Sequence, residues 1–328
     1  MKRKRIVSGM RPTGRLHLGH LHGALLNWKK LQEKYECFYF IADWHALTSE
    51  YADTGIIRDS ITDIIIDWIS VGLDPETCTF FVQSQIKEHS ELHLIFSMIT
   101  PLAWLERNPT YKDQLKELSQ KNLSTYGFLG YPVLQAADIL MYKANGVPVG
   151  EDQAPHVELT REIARRFNHM YGRVFPEPDV LLTPTSKLLG IDRRKMSKSY
   201  GNAILLSDPD DDIDRKVSQM ITDPQRARKT DPGDPGVCNV FSFHEMYSDP
   251  EQVKTIETQC RSAGIGCVEC KRLMAAALKK ALEPVRERRK ELESDPGKVA
   301  EIIAEGNRKA GAVAQQTMRE VRDRISIF

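Results

Sequence analysis

The stretch Arg11-Pro12-Thr13-Gly14-Arg15-Leu16-His17-Leu18-Gly19-His20 follows a short strand-like run, Arg5 to Ser8, and opens an amphipathic stretch from Leu18 to Tyr35. One proline and two glycines between a strand and a helix make a tight turn, and Gly19 lets backbone approach a ligand closely. The helix start offers N–H groups and the positive end of its dipole to phosphate. His17 and His20, one turn apart, can face the same anion. Further strand-like runs lie at Cys37 to Asp43, Thr79 to Ser84 and Val147 to Val149. Between them run helical stretches, Thr54 to Val71 and Glu88 to Ile99, the first with Ile57, Ile61, Ile64, Ile65 and Trp68 on one stripe. This alternation predicts an α/β fold, a parallel sheet wrapped by helices.

The 328 residues suffice for about two domains with a large core. With 46 Lys and Arg against 45 Asp and Glu, a uniformly basic nucleic-acid coat is excluded. No apolar run of signal-peptide or membrane-spanning length is evident, which points to the cytoplasm and to no membrane partner. From Asp208 the character changes: Asp223-Pro224 and Asp231-Pro232-Gly233-Asp234-Pro235-Gly236 precede long helical segments without strands. The expected division is therefore residues 1–206, carrying the sheet and a helical insertion, and residues 207–328, all helical. The last two helices are expected at Lys271 to Ser294 and Pro296 to Ser326. Residues 271–328 hold 14 Lys and Arg against 9 Asp and Glu, a net +5. That excess is either a solvated helix face or a surface for an anionic partner.

A second phosphate-handling element lies about 175 residues beyond the histidines. Lys195-Met196-Ser197-Lys198-Ser199 follows Arg193 and Arg194 and precedes the turn pair Gly201-Asn202. Two lysines three apart in a small-residue loop form a double cation suited to a departing pyrophosphate. Together the two motifs resemble the class I aminoacyl-tRNA synthetases. That resemblance implies a doubly wound nucleotide-binding domain, with ATP and Mg²⁺ as cofactors, and a C-terminal helical domain that binds the anticodon region of tRNA. It implies catalytic roles for His17, His20, Lys195 and Lys198. It also implies nucleotide contacts from Arg11, Pro12, Thr13, Gly19, His20, Gly150, Glu151, Asp152, Lys195, Met196, Ser197, Lys198 and Ser199. The chemistry agrees: an amino-acid carboxylate is already ionised and attacks the α-phosphate directly, so cations and oriented donors are needed and a general base is not.

Three further strings narrow the branch: Asp43-Trp44-His45-Ala46, Tyr131 to Leu140 (Tyr-Pro-Val-Leu-Gln-Ala-Ala-Asp-Ile-Leu), and Val147 to Gln153. Their order and spacing are similar to the tryptophanyl branch, with the tyrosyl branch as its near rival. The resemblance implies that Asp138 accepts an indole N–H, and that Tyr131, His45, Gln135 and Gln153 line the amino-acid pocket. L-tryptophan, tRNA(Trp) and a second copy of the chain are then the partners. Glu151-Asp152 favours the tryptophanyl branch, whereas Gln135 brings an amide that a tyrosine hydroxyl could use. Arg11, Thr13 and His20 also depart from the commonest bacterial pattern. Lys112 is a weaker candidate for a phosphate contact. More distant readings are a small-molecule nucleotidyltransferase of the same superfold and an iron–sulfur RNA-binding or redox-sensing protein with an inactive catalytic fold.

Four of the six cysteines, Cys238, Cys260, Cys267 and Cys270, form a C-x21-C-x6-C-x2-C pattern in the helical part. Without an export signal, such clustering favours metal over disulfide, and four thiolates suit either a [4Fe–4S] cluster or zinc. The resemblance to synthetases with a four-cysteine iron–sulfur site ranks the cluster first and zinc as the alternative. Cys37 and Cys78 read as core thiols.

Overall fold

A computed structural model describes residues 3–117, 123–183 and 188–326. The strands are β1 (Arg5–Met10), β2 (Glu36–Ile41), β3 (Cys78–Val82), β4 (Gly146–Val149) and β5 (Asp179–Leu182). The helices of the first half are α1 (Leu18–His20), α2 (Leu26–Leu31), α3 (Asp43–Glu50), α4 (Gly55–Ser70), α5 (Glu88–Ile99), α6 (Leu102–Arg107), α7 (Pro109–Glu117) and α8 (Tyr126–Met141). Those of the second half are α9 (Ala154–Tyr171), α10 (Asp210–Ser218), α11 (Asn239–Tyr247), α12 (Pro250–Arg261), α13 (Cys267–Glu293) and α14 (Pro296–Ile325).

The sheet is entirely parallel, in the order β3-β2-β1-β4-β5. This is the doubly wound order, with its switch point between β1 and β4, where ligands gather at the carboxyl ends of strands. The carboxyl ends deliver Arg11 after β1, Asp43 and His45 after β2, Gln83 after β3 and Gly150 after β4. Both sheet faces are covered, so β2 reads Glu-Cys-Phe-Tyr-Phe-Ile with all but its first residue buried. Cys37 and Cys78 sit opposite each other in the β2–β3 register, both buried.

Three local expectations change. Asp43 does not end β2; it opens α3, its Oδ1 accepting from Trp44 and Ser84 backbone N–H groups. The helix expected from Leu18 to Tyr35 is broken by a π-helical turn, Leu21–Leu25, and ends at Leu31. β5 was not expected, because Asp179-Val-Leu-Leu is four residues long and only half shielded at the sheet edge.

The chain forms two compact units. The first comprises Met1–Gly14, Ala24–Thr185 and Leu292–Phe328; the second comprises Arg15–Gly23 and Ser186–Glu291. A linear break after residue 206 is thus a division of the sequence, while packing draws the units otherwise. The expected grouping of the final helix with the C-terminal helical part changes for a visible reason. Ala310, Ala314, Met318 and Val321 of α14 are buried in the sheet core with Phe81, Leu92 and Phe96. Gly306 lies so close to β3 that a Cβ there would stand 1.6 Å from the Phe80 carbonyl oxygen. Asn307 Oδ1 accepts the Val82 N–H at 2.9 Å, satisfying an edge-strand donor.

Candidate active site

In the first unit, α8 carries Tyr131, Gln135 and Asp138 on one stripe, spaced by four and three residues. Thr125 caps the helix, its Oγ1 accepting from Phe128 N. Asp138 is fully buried and fully engaged. Gln83 Nε2 donates to both its oxygens, at 2.8 and 2.9 Å; His89 Nδ1 lies 2.6 Å from Oδ1 and His45 Nε2 lies 2.7 Å from Oδ2. Burial alone would raise this carboxyl, but the hydrogen bonds and charge of His45 and His89 outweigh it and hold it down at about 2. The result is an ionised carboxylate inside an apolar core, a group that only accepts.

Gln83 and His89 were not expected from sequence. Gln83 sits at the carboxyl end of β3, where a polar residue directly after an apolar strand is the available signal; His89 lies in the first turn of α5 and carries none. Tyr131 meets His156, its Oη 2.9 Å from His156 Nε2. Gln135 is half-buried. Gln153 lies in the turn Glu151–Gln153 and donates to Asp152 Oδ2, while Glu151 and Asp152 are exposed. Arg11 donates to Ser49 Oγ and lies 3.9 Å from Glu50; among the described residues its buried Nε has no partner. Pro12 is buried, Thr13 N donates to Arg11 O, and Gly14 takes a left-handed φ of 98° while its N–H donates to Ser60 Oγ. Lys112 is exposed on α7.

In the second unit the histidine motif and the lysine loop are stitched together by backbone. Leu18 N donates to Ile204 O and Leu206 N to Leu16 O, with His17 bridging Leu205 antiparallel. His17 caps α1: its Nδ1 accepts from Gly19 N at 3.1 Å, and its own N–H donates to His20 Nδ1 at 3.2 Å. Since both Nδ1 atoms accept from backbone donors, a neutral ring carries its proton on Nε2 in each case. Burial, with help from the Lys198 charge, pushes His17 down to about 4, and His20 falls further for the same reasons and because His17 is adjacent. The two rings, 3.8 Å apart, are therefore neutral donors at pH 7. A Cβ on Gly19 would meet the His17 ring at 2.8 Å, so the close approach requires glycine.

The lysine loop is fixed by Asn202, which is buried. Its Oδ1 accepts from Ser197 N, and its Nδ2 donates to Asp192 Oδ1 and Lys195 O. Met196 is buried as the anchor, Lys195 is exposed, Lys198 is half-buried, and Gly201 closes the turn with a left-handed φ of 63°. The Ser199 side chain lies outside the described residues.

The four cysteines also fall in the second unit, all half-buried: Cys238 before α11, Cys260 on α12, and Cys267 and Cys270 in the first turn of α13. Arg226 Nη1 approaches Cys260 Sγ at 3.8 Å, and His244 Nε2 lies 3.1 Å from Cys270 O. Burial and the three neighbouring thiols push Cys270 up to about 12. Among the described residues no group of three or more His, Cys, Asp or Glu side chains is arranged to hold a metal ion.

A five-stranded doubly wound sheet, a His-x-Gly-His turn and a Lys-Met-Ser-Lys-Ser loop define a class I tRNA synthetase. Residues 1–283 match the family of class I tRNA synthetases (W and Y), and the chain belongs to it. It is 52% identical to the tryptophan–tRNA ligase of Thermotoga maritima over 99% of both chains. It is 49% identical to that of Aquifex aeolicus, over 98% of this chain and all of the relative. The crystal structure of tryptophanyl-tRNA synthetase from Campylobacter jejuni complexed with ADP and tryptophan is 33% identical. It superposes with a TM-score of 0.90, over 98% of this chain and 100% of that one. A tyrosyl-tRNA synthetase of Archaeoglobus fulgidus, 23% identical with a TM-score of 0.66, covers 87% of this chain and 90% of its own and shares the fold.

Proposed function

We propose that this chain uses MgATP to activate L-tryptophan to Trp-AMP and transfers the tryptophanyl group to the 3′ end of tRNA(Trp). The observation that carries the reading is Asp138, a buried carboxylate held ionised at the end of the Tyr131–Gln135–Asp138 stripe. Indole offers one donor and no acceptor, which suits an acceptor-only group. Asp138 has four hydrogen bonds, so an indole N–H must take the place of one. His45, with 12% of its side chain exposed, is the partner able to yield, since Gln83 and His89 are wholly buried. Phenylalanine in the same place would leave the carboxylate unpaired, a strong ground for rejection.

In activation, a tryptophan carboxylate oxygen attacks the α-phosphorus, a P–O bond to it forms, and the bond to the bridging oxygen of pyrophosphate breaks with both electrons leaving on pyrophosphate. His17 and His20 donate Nε2–H to phosphate oxygens as neutral groups. Lys195 and Lys198 neutralise charge as pyrophosphate departs, alongside the Mg²⁺ that arrives with ATP. Arg11, Thr13 and the Gly150–Asp152 turn are assigned to the nucleotide, and Tyr131, Gln135 and Gln153 to the amino acid. The helical part from residue 207 and the net positive segment 271–328 are assigned to tRNA. The exposed Leu94 and Met98, one turn apart on α5, with Leu102 after them, are assigned to contact with a second copy in a homodimer. The cytoplasm, where tRNA is charged, is its place of work.

The four cysteines are assigned to a [4Fe–4S] cluster, which would supply a structural crosslink. An all-sulfur donor set, one thiol directly before α11, one on α12 and two on α13, fits it, because the thiolates of a four-iron cluster bind separate irons and need not converge on one point. Zinc, which requires one tetrahedral centre, is the second choice. Aminoacylation of tRNA(Trp) with labelled tryptophan tests the main reading; tyrosine attached instead to its own tRNA overturns it.

A further inference from the structure

One helix of the second unit, α11, touches both signature motifs with a single face. Asn239, Phe243 and Tyr247 follow one another at four-residue spacing and form one row along it, so the outer two stand about 12 Å apart at 1.5 Å per residue. At one end Tyr247 Oη lies 2.7 Å from Nε2 of His22, two residues beyond His20, and the rings meet edge to face at 5.6 Å. Burial pushes the Tyr247 hydroxyl up and the His22 ring down, so this contact joins neutral groups at pH 7. At the other end Asn239 Nδ2 donates to Gly190 O at 2.8 Å. Asn239 is 2% exposed and Gly190 is buried, so water cannot readily replace that bond. Phe243 between the two ends is fully buried, its ring 6.2 Å from that of Tyr247.

Gly190 opens the turn that delivers the lysines. Its N–H donates to Arg194 O at 2.7 Å, and a Cβ on it would stand 2.4 Å from Cγ of Asn202, whose amide binds Ser197 N and Lys195 O. The pairing of residues 16–18 with 204–206 fixes the chain after the lysines. The chain before them is tied to the helical part by Asn239 Nδ2 and by Ile221 N, which donates to Ile191 O. A misplacement of about 1 Å among groups that act on a reacting centre can cost up to about a hundredfold in rate, so the distance from the histidines to the lysines has to be held. We propose that α11 is the brace that sets this distance, anchored on the histidine motif through Tyr247 and holding the lysine loop through Asn239, and that both are positioning residues for amino-acid activation. The inference rests on the assignment of His17, His20, Lys195 and Lys198 to the phosphates. Neither contact is visible in sequence, because 225 and 49 residues separate the partners.

Asn239→Leu removes the donor at nearly constant volume, and Tyr247→Phe removes only the hydroxyl. In ATP–pyrophosphate exchange each should lower kcat about three- to tenfold, the range of one neutral hydrogen bond, with the tryptophan KM unchanged. Circular dichroism should show both folded at the assay temperature. A brace cut at one end bears nothing at the other, so the double variant should lose no more than the worse single one, whereas independent roles would multiply. For the same reason neither substitution should lower kcat further once Lys195→Ala and Lys198→Ala are in place. Trypsin should cut within residues 193–198 faster in both variants than in wild type. Wild-type kcat in either single variant, a double variant whose loss is the product of the two, or unchanged cleavage within 193–198 overturns the proposal. Should Asn239→Leu fail to fold, Asn239→Ala is read in its place, and failure of both makes the residue a support of the fold and likewise overturns it. The two levels separate cleanly: wild-type kcat in the double lysine variant removes the lysines from the chemistry, whereas a large loss there with wild-type kcat in Asn239→Leu rejects the brace alone.

Discussion

Asp138 brings the reading down to one residue whose surroundings can be counted. Its four hydrogen bonds and low titration point make it an ion that the native state protects, so Asp138→Asn should act twice. An amide would turn an N–H toward donors already present, lowering thermal stability, and would replace a charged acceptor by a neutral one. The tryptophan KM should rise about tenfold or more, since hydrogen bonds to charged groups are worth roughly 1.5–3 kcal/mol, while the ATP KM stays the same. Equal tryptophan KM values for wild type and variant would remove Asp138 from the pocket. Asp138 was legible in sequence because a carboxylate inside Ala-Ala-Asp-Ile-Leu is conspicuous. Gln83 and His89 were not, because their reason for being there lies 55 and 49 residues away. The buried histidines set a second residue-scale expectation. His17 and His156 are both held down at about 4, chiefly by burial, against 6.5 for a free ring. Between these values the unfolded chain binds protons that the folded chain refuses. The stability gained by keeping the rings neutral is therefore complete above pH 6.5 and is lost as pH falls toward 4. For His156 alone the window is worth about 3 kcal/mol. The urea midpoint should drop from pH 7 to pH 5, with a smaller drop in His156→Gln; a midpoint that does not move contradicts it.

At the scale of elements, strands and helices with strong periodicity were readable and their interruptions were not. α4 and α5 match the expected stretches to within a residue or so, because long apolar stripes at helical spacing leave little choice. The π-helical turn at Leu21–Leu25 left no mark in the apolar pattern, since Leu21 and Leu25 are both buried as an uninterrupted helix would also bury them. The pairing of residues 16–18 with 204–206 is likewise invisible locally, although it is what brings the two signature motifs into one unit. The cysteines belong to this scale too, since Cys238 directly precedes α11, Cys260 lies in the last turn of α12, and Cys267 and Cys270 lie in the first turn of α13. Protein purified without oxygen should contain iron and inorganic sulfide and absorb broadly in the near-ultraviolet and visible. Cys267→Ser or Cys270→Ser should destabilise the second unit and weaken tRNA charging more than amino-acid activation. About one zinc per chain with no iron would replace the cluster by a structural zinc site.

For the whole molecule, the sequence suggested a break after residue 206, yet the last helix returns to the sheet. Composition could not reveal this, because an amphipathic helix shows that it has an apolar face and not which surface receives it. α14 places Gly306 against the Phe80 carbonyl, satisfies Val82 N–H through Asn307, and pairs Arg322 with Glu91 and Lys143 with Glu320. Removing residues 295–328 should therefore abolish amino-acid activation along with tRNA charging and lower the helical and sheet signal of the remainder. A truncated chain that activates tryptophan normally would mean that α14 serves tRNA alone. The central claim, that this synthetase takes tryptophan, is tested most directly by ATP–pyrophosphate exchange without tRNA, with tryptophan and tyrosine measured side by side. A pocket closing on an ionised, acceptor-only Asp138 should give tryptophan-dependent exchange, with kcat/KM for tyrosine lower by about a hundredfold or more, as expected where a buried polar group is left badly matched. Exchange driven by tyrosine and absent with tryptophan would contradict the account.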